Sequence, residues 1–183
     1  MEISIRPVSP EDTKAVSAIL SDPTVMLGTM RLPFVPDALV AQRTAAEPGL
    51  YRLVAECEDE VVAFSQMTTF PGTPRHNHVG EIDLIAVRSR FQGRGIGKAL
   101  MNALLDLADN WLQLERTGLL VWSDNKRAIS LYEAFGFEIE GTLRRYARRP
   151  GGFADANTMA RLIDENPQPA AKASAQREHA QLR

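Results

Sequence analysis

Apolar and polar residues alternate from residue 3 to 8, which predicts a first strand. Pro10-Glu11-Asp12 then opens a helix with apolar Ala15, Val16, Ile19 and Leu20. Ser9 suits its N-cap and Pro10 its first turn. Residues 22–36 have no period but are rich in apolar side chains: Met26, Leu27, Met30, Leu32 and Phe34. They are expected to be irregular, followed by a second helix around Pro36 to Glu47. Two β-rich runs, 51–57 and 61–70, are joined by Glu58-Asp59-Glu60 and read as a hairpin. A loop from Pro71 to Asn77 leads into a strand at about Val79 to Val87.

The strongest period lies between Gly95 and about Leu112. Ile96, Ala99, Leu100, Ala103, Leu104, Leu107, Ala108 and Trp111 form one apolar stripe, with Lys98, Asn102, Asp106 and Asp109 on the other side. A strand is expected at Thr117 to Trp122. A short helix from about Lys126 to Phe135 stops at Gly136, a good residue just past a helix end. Two last strands, Glu138–Arg148 and Phe153–Leu162, flank the turn Arg149-Pro150-Gly151-Gly152. The element order suggests an α/β sandwich around a mixed sheet. One domain is expected over residues 1–164. Residues 165–183 hold Pro167, Pro169 and several alanines, and are expected to be a tail.

Composition narrows the function classes. A chain of 183 residues with 44% hydrophobic and 24% charged residues suits one globular core. The net charge of −2 gives no general attraction to nucleic acid or anionic membrane. No apolar run approaches the roughly 18 residues a membrane helix needs. The N-terminus lacks a signal-peptide pattern, so a cytoplasmic location is expected. Cys57, the single cysteine, sits in a strand-like run; a small buried hydrophobe and a catalytic thiol are both open to it. His76 and His78 form a His-x-His in a loop, too few ligands for a metal site, and no metal is expected.

Candidate chemistry concentrates where a strand meets the strong helix, in Gln92-Gly93-Arg94-Gly95-Ile96-Gly97-Lys98. Without Cβ atoms, Gly93, Gly95 and Gly97 let the backbone approach a ligand and adopt positive φ. A helix start carries unpaired N–H groups and about half a positive charge, so a phosphate fits there. Arg90, Arg94 and Lys98 add side-chain charge. A P-loop needs Ser or Thr after Gly-Lys, whereas Ala99 follows Gly97-Lys98; the spacing also fails the dinucleotide fingerprint.

The turn resembles the Gln/Arg-x-x-Gly-x-Gly/Ala signature of the GNAT N-acetyltransferases. A second resemblance lies in Asn125-Lys126-Arg127-Ala128-Ile129-Ser130-Leu131-Tyr132, closed by Phe135-Gly136-Phe137. Asn125 and Tyr132 are seven residues apart, about 10 Å along one helix face. The likeness spans about residues 3–163, and is strongest to bacterial members ending in Gly-Phe-Glu-Ile-Glu-Gly-Thr, here Gly136 to Thr142, some of which acetylate free amino acids. Ala63 departs from the glycine common after the hairpin.

The resemblance implies a GNAT fold: a mostly antiparallel twisted sheet of about six to seven strands with about four helices. It implies acetyl-CoA as co-substrate, with direct attack by an amine in a ternary complex. Residues Gln92, Gly93, Arg94, Gly95, Ile96, Gly97 and Lys98 would hold the pyrophosphate. Backbone groups of Ile85, Ala86 and Val87 would meet the thioester carbonyl and pantetheine, where one N–H donor is worth about 3 kcal/mol. Asn125 would touch the pantetheine, and Tyr132 would protonate the departing thiolate. Glu81 and Asp83 alternate onto one strand face, opposite Ile82, Leu84 and Ala86; either is a candidate base acting through water. Met26, Met30, Leu32 and Phe34 line an acceptor pocket or fill the core. One of Arg144, Arg145, Arg148 and Arg149 holds a substrate carboxylate, or all four form a solvated face. The leading expectation is a small-molecule amine acceptor, an amino acid or similar. A protein N-terminus or lysine as acceptor, and a non-catalytic acyl-CoA-binding module, stay open. A homodimer is compatible with the family.

Overall fold

The computed structural model describes residues 2–33 and 36–163. Phe34 and the segment 165–183, singled out above, lie outside the described residues. The strands are β1 (Ser4–Pro7), β2 (Leu50–Cys57), β3 (Glu60–Thr69), β4 (Val79–Val87), β5 (Arg116–Trp122), β6 (Glu138–Arg149) and β7 (Gly152–Leu162). They form one seven-stranded sheet in the order β1-β2-β3-β4-β5-β7-β6. Every neighbouring pair is antiparallel except β4 and β5, which are parallel. Among the described residues the α-helices are α1 (Thr13–Leu20), α2 (Pro23–Leu27), α3 (Asp37–Ala41), α4 (Ile96–Asp106) and α5 (Lys126–Glu133).

The helices cover both faces, as each apolar stripe requires. On one face Val16, Ile19 and Leu20 of α1 pack on Val54, Phe64, Leu84 and Ala86. On the other, Ile96 and Leu100 of α4 meet Ala55, Val62 and Ala63. Lower on that face Met101, Leu104 and Leu105 meet Met67, Ile82 and Leu119, joined by Ile129 and Phe137 from the α5 region. Cys57 is buried among these apolar groups, and burial pushes its thiol pKa up. It is a small core hydrophobe, not an activated thiol.

Four local expectations are corrected. Residues 23–27 are helical rather than irregular: the Asp22 side chain accepts the Thr24 N–H at 2.9 Å and Pro23 sits in the first turn. The helix expected over 36–47 is only Asp37–Ala41. The long stripe changes winding after Asp106, where Leu107–Trp111 form a π-turn closed by the Leu112 N–H on Leu107 O at 2.9 Å. The wider turn rotates Trp111 out of the stripe, leaving it 76% exposed. Strict alternation along β4 also fails. The β3–β4 register shifts between Gln66 and Met67, leaving Asp83 as the extra residue between Ile82 and Leu84. Ile82 therefore packs beneath α4, whereas Leu84 and Ala86 pack beneath α1.

Candidate active site

The two parallel strands at the sheet centre stay together for only part of their length. Their pairing runs from Val79↔Arg116 to Ile82↔Leu119 and ends there. Beyond it β4 continues to Val87 and β5 to Trp122, and the bulge at Asp83 sits at the parting point. A bulge bends and twists its strand, which accounts for the divergence. A cleft of about 1260 Å³ opens between the separated ends. Its walls include Glu81 to Val87 from β4 and Gly118 to Trp122 from β5. Past Ile82, β4 has no β5 partner, so the backbone groups on that edge face the cleft without a strand to bond.

The glycine turn stands at one end. Gly93 and Gly95 adopt φ of 79° and 84°, a region closed to most side chains. A Cβ at Gly95 would meet no protein atom within 4 Å, and one at Gly93 only an Arg127 terminal nitrogen at 3.9 Å. No side chain caps the start of α4. The mouth is therefore open and presents an uncapped helix start, which fits a diphosphate. Gly97 has a different role: its missing Cβ lets α5 approach, with Leu131 Cδ2 3.5 Å from where it would be.

Gln92 anchors this turn. Its Nε2 donates to Val87 O at 3.0 Å and to Thr24 Oγ1 at 3.3 Å, and its Oε1 accepts from Arg127 at 3.1 Å. Asp22 ties the same corner to α2, accepting from the backbone and hydroxyl of Ser89 at 2.9 and 2.8 Å. These four hydrogen bonds, two from Ser89 and two from Thr24, hold its carboxyl well below the ordinary carboxylate range.

Of the residues read from the sequence, Glu81, Asp83, Ile85, Ala86, Val87, Gln92, Gly93, Gly95, Ile96, Gly97, Lys98, Asn125 and Tyr132 all line this one cleft. Arg94 does not; its guanidinium lies over the Phe91 ring at 5.4 Å. Of the acceptor-pocket candidates among the described residues, only Met30 lines it. Met26 and Leu32 line a separate hollow of about 320 Å³. None of Arg144, Arg145, Arg148 and Arg149 lines the cleft. Arg149 pairs with Asp124, and Arg145 and Arg148 lie over Phe153 at 4.1 and 5.2 Å. From this strand it is Glu140, Leu143 and Tyr146 that line the cleft.

Tyr132 and Glu81 both line the cleft, and burial shifts the titration of each. Asn125 Oδ1 caps α5 by accepting the Ala128 N–H at 3.2 Å, and two turns on, the half-buried Tyr132 lines the cleft. Its ring packs near Phe137, 6.0 Å between centroids. Burial alone pushes its phenol pKa up to about 12, so the group is protonated at neutral pH. Glu81 is also half-buried, and burial raises its carboxyl pKa against the opposing pull of Arg116. Asp83 is held instead by Gln66 Nε2 at 3.1 Å and Thr68 Oγ1 at 2.5 Å. Of the two carboxylates, Glu81 is the one left without a hydrogen bond among the described residues.

Sequence reasoning missed Gly118. A Cβ there would stand 2.6 Å from Glu81 Oε2, so the bare backbone of β5 is what seats that carboxylate. Only the pairing Glu81↔Gly118 reveals it. Gly118→Ala is expected to displace Glu81 and cut kcat by about tenfold or more, with acetyl-CoA affinity unchanged; steady-state kinetics checks both. Arg116 and Arg127 were also missed. The first donates to both oxygens of Glu140, at 2.7 and 2.5 Å, on the far wall. Among the described residues no cluster of metal-ligating side chains occurs, and no helix is long and apolar enough to cross a membrane.

The comparisons with known proteins agree with this arrangement. The family model described as "Acetyltransferase (GNAT) family" matches residues 18–137. The L-amino acid N-acetyltransferase AaaT of Escherichia coli is 38% identical over 161 residues, covering 88% of this chain and 98% of the relative. The N-alpha-acetyltransferase RimI of Mycobacterium tuberculosis is 35% identical over 129 residues, covering 70% and 75%. Among solved structures, yncA of Salmonella typhimurium with acetyl-CoA superposes with a TM-score of 0.79. It covers 93% of this chain and 99% of that one; at 20% identity it speaks to the fold alone. An uncapped glycine turn, parted central strands and a matching family model over residues 18–137 have one common meaning: this protein belongs to the GNAT family and is an acetyl-CoA-dependent N-acetyltransferase.

Proposed function

We propose that the chain acetylates the primary amine of a small molecule, an amino acid or similar, by direct attack within the cleft. The observation that carries this reading is that Glu81 and Tyr132 line the same opening as the glycine turn. Acetyl-CoA supplies the activated acetyl group as a thioester. The N–H groups of Gly93 to Lys98 would hold its pyrophosphate, with Lys98 adding charge. Asn125 would contact the pantetheine, and the free edge of Ile85 to Val87 would polarise the thioester carbonyl.

The remaining work is proton transfer. The amine nitrogen bonds to the carbonyl carbon and the carbon–sulfur bond breaks. Glu81, directly or through water, takes the proton the nitrogen must lose. Tyr132 gives its hydroxyl proton to the thiolate. An α-amine with a pKa near 8 is already partly neutral at pH 7, whereas a lysine amine near 10.4 is not. One half-buried carboxylate therefore suits an α-amine. AaaT, whose printed name gives L-amino acids as acceptors, supports the same class. A cytoplasmic site of action follows from the need for acetyl-CoA.

The sign of the pH dependence is fixed by Glu81. Its carboxyl, raised by burial, gains its proton and stops acting as a base as pH falls through that raised value, so kcat falls on the acid side. Tyr132, pushed up to about 12, stays protonated across the working range and imposes no alkaline limb below it. Glu81→Gln is expected to lower kcat by about 10²-fold and to abolish this acid limb, read from a pH–rate profile.

The deciding experiment is release of thiol from acetyl-CoA, screened over amino acids, polyamines and aminoglycosides. Stimulation by an amino acid is expected. A rate unmoved by every amine would leave only the acyl-CoA-binding module.

A further inference from the structure

Strand β6 carries an irregularity beside the cleft. Its pairing with β7 runs Ile139↔Met159 and then Gly141↔Thr158, which leaves Glu140 as an extra residue with no partner opposite. A bulge re-aims the side chain it carries. The Glu140 side chain joins the cleft wall, and its two oxygens accept from Arg116: Nη1 donates to Oε1 at 2.7 Å and Nη2 to Oε2 at 2.5 Å. Strand β7 lies between β5 and β6, so the pair bridges across it. Two parallel hydrogen bonds are the arrangement in which guanidinium and carboxylate match best, and they occupy the whole fork.

A second carboxylate stands close to the same arginine. Arg116 precedes Gly118 by two positions on β5, so the two share a strand face with roughly 7 Å between them. Gly118 is the seat of Glu81, whose Oε2 lies 2.6 Å from where a Cβ would be. Arg116, Glu81 and Glu140 all line the cleft, yet Glu81 makes no hydrogen bond or ion pair among the described residues. Burial raises the Glu81 carboxyl pKa. Of the charges that face it, Arg116 on β5 and His76 in the loop before β4 lower it, whereas Asp83 on β4 and Glu140 on β6 raise it. The hydrogen bonds from Arg116 hold Glu140 below its ordinary value, so Glu140 stays ionised while Glu81 titrates.

We propose that Glu140 is a decoy carboxylate: by occupying the Arg116 fork it keeps that guanidinium from capturing Glu81, and so leaves Glu81 free to take the proton of the amine. The inference rests on the reading of Glu81 as the base and adds two positioning residues that act through it. A guanidinium clamped on Glu81 would fill the oxygen positions that must accept the proton. It would also favour the ionised form and so make a weaker base. Paired with Glu140, Arg116 lends Glu81 its charge at a distance but not its hydrogen bonds.

The test is the pH–rate profile of thiol release for the wild type, Glu140→Gln, Arg116→Gln and the double variant, with an amine the wild type turns over. Glu140→Gln frees the fork. Its acid limb is expected to move to lower pH by about one unit or more, and its plateau kcat to fall about tenfold. Glu140→Ala should repeat that result. Arg116→Gln removes the pull and should move the limb the other way, to higher pH. With Arg116 gone there is nothing left to hold off, so the double variant should regain most of the plateau kcat lost in Glu140→Gln. KM for acetyl-CoA should stay as in the wild type throughout. A Glu140→Gln profile that matches the wild type would overturn the inference. So would a loss of kcat that persists in the double variant, or limbs displaced in the same direction by the two single variants, since a merely structural pair would behave so. An acid limb that survives Glu81→Gln would instead sink the reading of Glu81 as base, and no turnover of any amine would sink the catalytic reading itself.

Discussion

Replacing Tyr132 with phenylalanine is expected to lower kcat by about 10²- to 10³-fold while acetyl-CoA binds as before. The change removes one oxygen from a ring whose position is set by Phe137 and by the wall of α5. Among the described residues that oxygen makes no hydrogen bond, so its loss leaves no partner there unsatisfied and little stability is lost. What disappears is a proton held in place at neutral pH by a pKa near 12. Without it the thiolate must leave unprotonated or draw on water. Stopped assays of thiol release give kcat, and calorimetry gives cofactor affinity. A Tyr132→Phe protein with full activity would remove this residue from the chemistry and leave it a packing group.

A β-branched residue at Gly95 is expected to have the opposite signature. Gly95→Val should weaken coenzyme A binding about 10- to 100-fold, because it disturbs charge-assisted hydrogen bonds from the turn. Two effects combine. Valine at a φ of 84° is strained by about 1–2 kcal/mol, which pulls the turn out of shape. Its added Cβ would meet no protein atom, so it enters the open space of the mouth rather than clashing with its neighbours. The loss should appear in calorimetric titration with coenzyme A, whereas any turnover at saturating acetyl-CoA should keep the wild-type pH profile.

Local signals in the chain foretold much of this. The apolar stripe of α4, the hairpin of β2 and β3 and the closing pair β6 and β7 all appear where periodicity and turn residues put them. The glycine turn and the pair Asn125 and Tyr132 were legible for the same reason: each is a run of neighbouring residues with a fixed geometry. Features made by distant residues were not. The bulge at Asp83 depends on how β3 pairs with β4, and it swaps Leu84 and Ala86 to the opposite face. The seat of Glu81 depends on Gly118, thirty-seven positions on in the sequence and adjacent only across a strand pair. Arg94 shows the limit of motif reading, since it stands inside the signature yet its side chain turns onto Phe91. The short α2 was legible in principle, because Asp22-Pro23 is a helix-start pair. Its five residues fell below the length at which a period can be seen.

A crystal structure with coenzyme A tests the central claim most directly. The account predicts the pyrophosphate on the backbone of Gly93 to Gly97 and the sulfur within about 3.5 Å of the Tyr132 hydroxyl. A diphosphate seated elsewhere, or a sulfur held far from that tyrosine, would contradict it.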